Sequence, residues 1–388
     1  MKEANSSALY KIISDKIRSS PQFRITFADY QNIVLYDLDY GYYSSGKVNI
    51  GARGDFFTAS SLGSDLGELL AIQLIEMWQN LACPDRFTVM EMGAGNGNLA
   101  KDILNYFVAC QKDILASLEY IILEKSPKLI EQQQKALADF TEINIAWKDW
   151  KDIADGSLVG CCFSNELIDA FPVHLVEIDN GKLREIYVTL EGDRLEETLG
   201  ELSTSKIDEY FDSVGIALNY PQGYRTEVNL AALDWLNTVS NKLRQGYLLT
   251  IDYGYSASKY YHPQRSQGTL KCYYQHRHHD NPYVNLGEQD ITSHVDFTAL
   301  ENYGKSHKLD TIGRTKQAMF LMSLGLGDRL QQLSSGQFNA WEILHKRDAL
   351  HQLINPMGLG GFEVLIQGKN LDLEQQKIKG LTIPDRAF

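Results

Sequence analysis

The sequence predicts an α/β protein whose core is a parallel sheet covered by helices on both faces. Short β-rich runs alternate with helical segments from about residue 86 onwards, and the first of these runs ends in a glycine-rich loop. Such alternation is typical of βαβ units. The chain has 388 residues, of which 44% are hydrophobic, so it is long enough to bury one large core or two modest ones.

The individual elements follow from the spacing of apolar residues. Helical spacing predicts helices over 7–19, 64–80 and 328–353. Alternating apolar positions around the turn Asn180-Gly181 predict a β-hairpin added to the edge of the sheet. Strands are predicted for the runs FTVMEM, EYIILE, INIAW, LVGCCFSNE, YLLTIDYG and, late in the chain, GGFEVLIQGK.

The change of pattern along the chain predicts its domain organisation. A helical N-terminal region, 1–82, is expected to pack on a core formed by 83–388. Stretches that break the alternation predict insertions into this core at about 174–225 and 256–355.

Composition excludes several classes of partner. The 37 basic and 50 acidic residues give a net charge of −13 and a pI near 5.2, so nucleic acid is not expected as a partner. No segment has the roughly 20 apolar residues needed to span a membrane. An odd number of cysteines without paired metal-ligand spacing predicts reduced thiols and a cytoplasmic location. These cysteines are Cys83, Cys110, Cys161, Cys162 and Cys272.

The run FTVMEMGAGNGNL predicts a cofactor loop between a strand and a helix. Its glycines, Gly93, Gly95 and Gly97, allow backbone N–H groups to approach a ligand at the helix N-terminus. Dinucleotide-binding enzymes place a third glycine where this chain has Asn98, and Glu91 would repel their phosphates. An acid before the loop suits a ligand with an amino group and no phosphate, such as S-adenosylmethionine (SAM).

Two further acids follow the next strands along the chain. Glu124 ends EYIILE, where a carboxylate can accept hydrogen bonds from both ribose hydroxyls, and Asp149 follows INIAW, where it can accept one from the adenine amine. The alternative for each is a solvated acid at a strand end. The predicted SAM-binding residues are therefore Glu91, Gly93, Gly95, Gly97, Asn98, Leu99, Glu124, Asp149 and Asn165.

Ten blocks spread over most of the chain resemble the MidA-like SAM-dependent methyltransferases, a family that includes the mitochondrial complex I assembly arginine methyltransferase. The blocks are GYYS, IGARGDFFTA, LGELLA, MEMGAGNGNLAKDIL, ILEKSPKLIEQQ, NELIDAFPVH, LLTIDYGY, GTLKCYYQH, QDITSHVDF and TKQAMFL. The resemblance implies a class I, Rossmann-like methyltransferase fold with a mixed seven-stranded sheet. It also implies SAM as the cofactor and an arginine of a protein as the methyl acceptor. The chain has Ser60 and Ser61 where the family usually has Pro and Glu.

The block NELIDAFPVH supplies the candidate catalytic residues. Asn165 and Glu166 follow an apolar run, at the sheet edge where open α/β sheets bind ligands. Glu166 and Asp169 lie on one side of any helical turn that starts there, so the two carboxylates can orient a guanidinium and localise its lone pair on the attacking nitrogen. The alternative for Asp169 is that it braces the turn before Pro172.

The candidate substrate-binding residues are Asp252, Tyr253 and His294. Asp252 and Tyr253 end a second strand at the same sheet edge, and a purely structural role in the turn explains them equally well. His294 belongs to an insertion, where a solvated position is the alternative. The histidines of QHRHHD have spacings that fit no ligand pair, so no metal site is predicted.

These observations predict a SAM-dependent methyltransferase that acts on a protein, with arginine as the acceptor. Through the resemblance, a respiratory-complex subunit is a candidate substrate, and the assembly is left open between a monomer and a homodimer. The alternatives are a non-catalytic assembly factor that binds SAM, and an NAD-dependent oxidoreductase.

Overall fold

The computed structural model describes residues 2–45, 62–275, 277–334, 336, 339–372 and 376–382. The block IGARGDFFTA and the Ser60-Ser61 departure lie outside these residues. The strands are, in chain order, β1 (Arg24–Thr26), β2 (Phe87–Met92), β3 (Leu118–Leu123), β4 (Asn144–Lys148), β5 (Leu158–Asn165), β6 (His174–Asp179), β7 (Lys182–Glu191), β8 (Arg194–Gly200), β9 (Arg225–Val228), β10 (Leu243–Asp252), β11 (Gly254–Tyr255), β12 (Lys271–Tyr274), β13 (Arg277–His279), β14 (Asp290–Thr292), β15 (Val295–Asp296), β16 (Asp310–Lys316) and β17 (Glu363–Lys369). The helices are α1 (Lys2–Ser19), α2 (Phe27–Tyr36), α3 (Asp65–Asn80), α4 (Asn98–Cys110), α5 (Lys112–Leu115), α6 (Pro127–Ala136), α7 (Lys206–Ser213), α8 (Leu230–Lys242), α9 (Ala257–Tyr260), α10 (Phe297–Ser306), α11 (Gln317–Ser323), α12 (Leu326–Gln332) and α13 (Ala340–Ile354).

A central sheet organises the molecule. Within the described ranges it has seven strands in the order β16-β17-β10-β5-β2-β3-β4. Only β17 runs antiparallel to its neighbours, and it lies between β16 and β10. Every residue of β2 and β3 is buried, as expected for strands covered by helices on both faces. The mixed seven-stranded sheet is the one the sequence leads us to expect.

The predicted hairpin forms but belongs to a different sheet. Asn180 and Gly181 both have positive φ, 49° and 71°, and join β6 to β7 in a tight turn. In the part of the chain described, these strands form a second, five-stranded sheet with β1, β8 and β9. The prediction of an addition to the edge of the central sheet is therefore wrong. The hairpin instead buries apolar side chains such as Ile186 and Val188 against α1 and α2.

The N-terminal region 1–82 divides between the two sheets. The α1-β1-α2 segment packs on the second sheet, where Leu9 and Phe27 share a core with Leu175. In contrast, α3 belongs to the central sheet. Its apolar stripe faces the core of that sheet, and the helix packs beside α4. The close approach of Gly67 to Asp102 leaves no space for a larger residue at this contact.

The second predicted insertion, 256–355, is interrupted by elements of the core. Helix α10 and strand β16 lie between two separate insertions, and β16 is the edge strand of the central sheet. The sequence of β16, DTIGRTK, contains one large apolar residue, Ile312, so it carries no strand pattern. The first insertion carries β11 to β15, and the second carries α11 to α13.

Two kinds of feature are absent from the described part of the chain. No helix there combines the length and the apolar character needed to cross a membrane. Within the same residues, no group of three or more His, Cys, Asp or Glu side chains could hold a metal ion.

Candidate active site

The carboxyl ends of β2, β3, β5 and β10 open into a cavity of about 970 Å³. The insertion that carries β11 to β15, the insertion that carries α11 to α13 and the N-terminal region all contribute to its wall. Of the predicted site residues, Gly97, Asn98, Asp149 and Asp252 do not line this cavity. Those that do line it are Glu91, Gly93, Gly95, Leu99, Glu124, Asn165, Glu166, Asp169, Tyr253 and His294.

The glycine loop connects β2 to α4 through a left-handed backbone. Gly93, Gly95 and Gly97 have φ values of 74°, 54° and 83°, a region that disfavours side chains. A Cβ at Gly97 would lie 3.3 Å from Cα of Gln133, and one at Gly93 would lie 2.8 Å from Cδ1 of Leu167. The loop therefore needs glycine for its conformation and for the space around it.

Gln133 links the glycine loop to Glu124, and the sequence gives no sign of this role. Its Nε2 donates to the carbonyl of Gly95 at 2.8 Å and to Glu124 Oε2 at 3.3 Å. Its Oε1 accepts from Trp147 Nε1 at 2.9 Å. Glu124 Oε1 also accepts from the N–H of Ser126 at 2.9 Å, while burial raises the pKa of Glu124. The network fixes this carboxylate at the cavity wall.

Glu91 lies at the end of β2 and is almost fully buried. The hydroxyl of Tyr120 donates a hydrogen bond to its Oε2 at 2.6 Å. Burial raises the pKa of Glu91 to about 7, because a buried carboxylate lacks the solvation it has in water. Near neutral pH both protonation states of this carboxyl are therefore populated.

Glu166 has a strained backbone at the end of β5. Its φ is 51°, a left-handed value that is uncommon outside glycine and asparagine. Its N–H donates to the carbonyl of Ile251 at 2.9 Å, and Asn165 Nδ2 donates to its Oε1 at 3.2 Å. Among the described residues, buried Asn165 Oδ1 has no hydrogen-bond partner. Strain and an unsatisfied acceptor at one point are typical of a binding site.

Asp169 is held by Tyr253, whose hydroxyl donates to Oδ2 at 2.6 Å. Burial raises the pKa of Asp169 to about 6, although the Tyr253 hydrogen bond opposes that rise. Its other oxygen, Oδ1, is buried without a hydrogen-bond partner in the described part of the chain. Asp169 thus brings an unsatisfied, buried acceptor to the cavity wall.

Asp252 has a structural role that differs from the predicted substrate contact. Its Oδ2 accepts from the N–H groups of Ile168 and Asp169 at 2.9 and 3.3 Å, and its Oδ1 from that of Tyr253 at 2.9 Å. Burial, and after it the charges of Asp169 and Glu166, raise its pKa well above the ordinary value. The fully buried side chain thus fixes the turn that carries Asp169.

Two tyrosines and one acid of the wall come from the N-terminal region and the first insertion: Tyr36 ends α2, Tyr43 follows that helix, and Asp290 begins β14. Tyr43 donates to Asp290 Oδ2 at 2.8 Å, and Tyr36 donates to the carbonyl of Ala170 at 2.9 Å. Burial, and after it the charges of Asp290 and Asp169, raise the pKa of Tyr36. The two carboxylates therefore lie close to the same tyrosine. None of Tyr36, Tyr43 and Asp290 was a predicted site residue, although the blocks GYYS and QDITSHVDF contain two of them.

His294 lies against aromatic rings on the same wall. Its ring stacks on Tyr255, with centroids 4.9 Å apart, and meets Tyr253 edge-on at 5.1 Å. Burial is the main cause that lowers the pKa of His294 to about 4, and the positive charges of Arg265 and Lys271 lower it further. The imidazole is therefore neutral near pH 7 and adds no positive charge to the cavity.

Comparison with known proteins identifies the family. A family described as S-adenosyl-L-methionine-dependent methyltransferases matches residues 69–315 of this chain. The chain belongs to this family. A protein from Burkholderia thailandensis, solved with S-adenosyl-homocysteine bound, is 30% identical, covers 100% of this chain and 97% of its own, and has a TM-score of 0.86.

Curated relatives of this methyltransferase cover most of its length. The mitochondrial protein arginine methyltransferase NDUFAF7 homolog of Drosophila melanogaster is 27% identical over 356 residues, 85% of this chain and 78% of that protein. The mitochondrial protein arginine methyltransferase NDUFAF7 of Homo sapiens is 26% identical over 339 residues, 80% of this chain and 72% of that protein. These matches confirm the resemblance found in the ten blocks.

The cavity of the methyltransferase fits SAM. Its volume lies at the upper end of the range for small-molecule sites, about 300–1,000 Å³. The glycine loop at the start of α4 can approach a ligand closely, Glu91 can accept from an amino group, and Glu124 can accept from ribose hydroxyls. Asn165 Oδ1 supplies a further buried acceptor. Phosphate-binding cations are missing from this part of the described wall, which disfavours the NAD alternative.

Asp149 and Asn98 lie off the cavity wall and have local partners. Asp149 is exposed and caps the short 3₁₀ turn that follows it, since its Oδ1 accepts from the N–H of Trp150 at 2.6 Å. Asn98 begins α4, and its N–H donates to Asn96 Oδ1 at 3.2 Å. A role of Asp149 toward the adenine amine stays a prediction.

The raised pKa of Glu91 predicts a pH dependence of SAM affinity. The carboxyl must lose its proton before it can pair with an ammonium group, so affinity should fall about tenfold per pH unit below a pH near 7. Titration calorimetry between about pH 5.5 and 7.0 keeps an α-amino group, with its pKa of about 7.7–8.0, mostly protonated. Proton release on binding should be measurable in buffers of different ionisation enthalpy. A Glu91→Gln variant should bind weakly and without this pH dependence, and an unchanged profile would exclude Glu91 as the titrating group.

Proposed function

We propose that this methyltransferase methylates an arginine side chain of a protein substrate. One observation carries the proposal: beyond the glycine loop, the cavity wall brings together Glu166, Asp169 and Asp290 with tyrosines. Lys316 is the only cation of the described wall, and Glu363 pairs with it at 2.8 Å. Carboxylates and aromatic rings together favour a cationic, multiply hydrogen-bonding group such as a guanidinium.

The names of the relatives support the same acceptor. Both curated relatives are named protein arginine methyltransferases. They are also named mitochondrial, so the cytoplasmic location of this chain stays a prediction. The respiratory-complex substrate and the homodimer stay predictions as well.

The residues of this chain can orient the acceptor and take up its proton. When bound, SAM supplies an electrophilic methyl carbon on a sulfonium, and transfer forms a nitrogen–carbon bond as the carbon–sulfur bond breaks. Glu166 and Asp169 accept hydrogen bonds from the guanidinium and aim one nitrogen into the cavity. The nitrogen must lose one proton during transfer, and a carboxylate of this pair receives it. Tyr253 keeps Asp169 in place, and Asp252 keeps the turn in place.

The acceptor atom can be tested directly. Purified enzyme is incubated with isotope-labelled SAM and a lysate of cells that lack the native enzyme, and the labelled residues are located by mass spectrometry. We expect methylarginine in a small number of proteins. Label on lysine, glutamine or a small molecule instead would contradict the proposal. A reaction with heat-inactivated enzyme provides the blank.

A further inference from the structure

Two methionine side chains stand exposed at the mouth of the active-site cavity. Met357 is 93% exposed and Met319 is 43% exposed, and both line the cavity together with Pro356. Full burial of a methionine side chain stabilises a folded protein by about 1.5–3 kcal/mol. The two exposed methionines therefore contribute little of this free energy to folding. Because both line a binding cavity, these exposed apolar side chains are candidates for contact with a partner. We call Met319, Pro356 and Met357 the methionine lip.

A hydrogen-bonded turn presents Met357. Its N–H donates to Asn355 Oδ1 at 3.1 Å, and the N–H of Gly358 donates to the Asn355 carbonyl at 3.0 Å. A Cβ at Gly360 would lie 2.3 Å from the carbonyl carbon of Ile354, so the following backbone packs directly on the end of α13. The exposure of Met357 is thus a consequence of a well-supported turn.

The helix that carries Met319 is hydrogen-bonded to the segment that follows Met357. The N–H of Gln317, the first residue of α11, donates to the carbonyl of Phe362 at 2.8 Å. Lys316 Nζ donates to the carbonyl of Gly361, also at 2.8 Å. Helix α11 and the turn that presents Met357 are therefore joined by hydrogen bonds on the same short segment, Gly361 and Phe362. Preorganised apolar anchors of this kind lower the entropic cost of binding.

We propose that the methionine lip holds the substrate polypeptide next to the methyl-accepting arginine, and that it selects an apolar side chain within three residues of that arginine. This inference rests on the proposed function, because an arginine that enters the cavity from a protein brings its backbone across the mouth. An extended chain rises about 3.3 Å per residue, so three residues reach about 10 Å along the mouth. Methionine is unbranched and adaptable, so the lip selects apolar character and not one side chain.

The charge on the cavity wall separates the lip from the acceptor site. The carboxylates Glu166, Asp169 and Asp290 line the acceptor part, whereas the lip carries no charged group of its own. Lys316 beside the lip is already paired with Glu363. A charged substrate residue placed on the lip would therefore lose hydration without gaining a partner, which costs more than placing an apolar residue there.

The test uses short serine-based peptides with one central arginine. A single leucine is moved through each position near the arginine, and the peptide without leucine is the reference. For the native enzyme with SAM, we expect leucine in at least one position to raise kcat/KM about tenfold, the usual value of one apolar contact. Fluorescence anisotropy with labelled peptides and S-adenosyl-homocysteine gives the same comparison for binding alone.

Variants connect the preference to the lip. The double change Met319→Gln and Met357→Gln keeps side-chain length and adds no charge, so it should abolish the leucine preference while SAM affinity stays unchanged. Leu344→Gln is the matched control, because Leu344 is exposed on α13 and does not line the cavity. Its peptide preference should equal that of the native enzyme.

Two results would overturn the inference. One is that the native enzyme turns over and binds all the peptides equally well, or binds none of them. The other is a leucine preference that survives in the double variant. A parallel peptide series with lysine in place of arginine separates this inference from the proposed function. A leucine preference confined to the lysine series would keep the lip and remove arginine as the acceptor.

Discussion

Glu166→Gln is expected to lower methyl transfer by about 100-fold or more while SAM affinity changes by less than about threefold. Glutamine keeps the length of the side chain and the oxygen that accepts from Asn165 Nδ2 at 3.2 Å. It loses the charge that orients a guanidinium, and that charge matters only once the acceptor is bound. Additional SAM should therefore not restore the rate.

Two measurements on the same protein decide the role of Glu166. Calorimetry gives the SAM affinity, and methyl incorporation from labelled SAM gives the rate. Glu196→Gln, the same change at an exposed position of β8, serves as the control and should behave like the native enzyme. Loss of both binding and transfer would make Glu166 a SAM-binding residue. Full transfer would remove it from the mechanism.

The central strands were predictable because their signal is local. Residues of β2 and β3 are buried on both faces, so each strand is a mostly apolar run, interrupted by Thr88 and Glu91 in β2 and by Glu119 in β3. The edge strand β16 is specified mainly by its pairing with β17, from Asp310 opposite Gly368 to Lys316 opposite Glu363. Its own seven residues contain no such run. Propensity alone cannot find a strand of this kind.

The candidate site was predictable where it depends on strand ends. Parallel strands bring their carboxyl ends to one edge, so Glu91, Glu124 and Asn165 could be placed together from the sequence. Tyr43 and Asp290 are 247 residues apart and meet only because α2 and the segment after it pack beside the first insertion. No local pattern encodes such a contact.

Asp252 and Gln133 show a second limit of sequence reasoning. A carboxylate at the end of a strand can face a ligand or accept hydrogen bonds from backbone N–H groups. The residues around Asp252 in the sequence fit both roles. Its contacts with Ile168 and Asp169 decide for the backbone. Gln133 lies inside α6, where a polar residue normally faces solvent, yet it is fully buried between the glycine loop and Glu124.

Gly95→Val is expected to weaken SAM binding by about 100-fold or more while the protein still folds. Gly95 has a φ of 54°, and a β-branched residue in this region costs about 1–2 kcal/mol of conformational energy. The loop must then either distort, which moves its N–H groups, or place a branched side chain where the ligand approaches. Its carbonyl also accepts from Gln133, so distortion would loosen Glu124 as well.

A matched glycine separates loss of binding from backbone strain. Gly156 has a φ of 62°, and a Cβ there would meet nothing within 4 Å. Gly156→Val therefore introduces similar strain at a turn that does not line the cavity, and it should lower the melting temperature without changing SAM affinity. Circular dichroism establishes that both variants are folded, and calorimetry gives both affinities. If folded Gly95→Val binds SAM as tightly as the native enzyme, the glycine loop is not part of the SAM site. If both variants lose binding equally, strain and not the position of Gly95 is the cause.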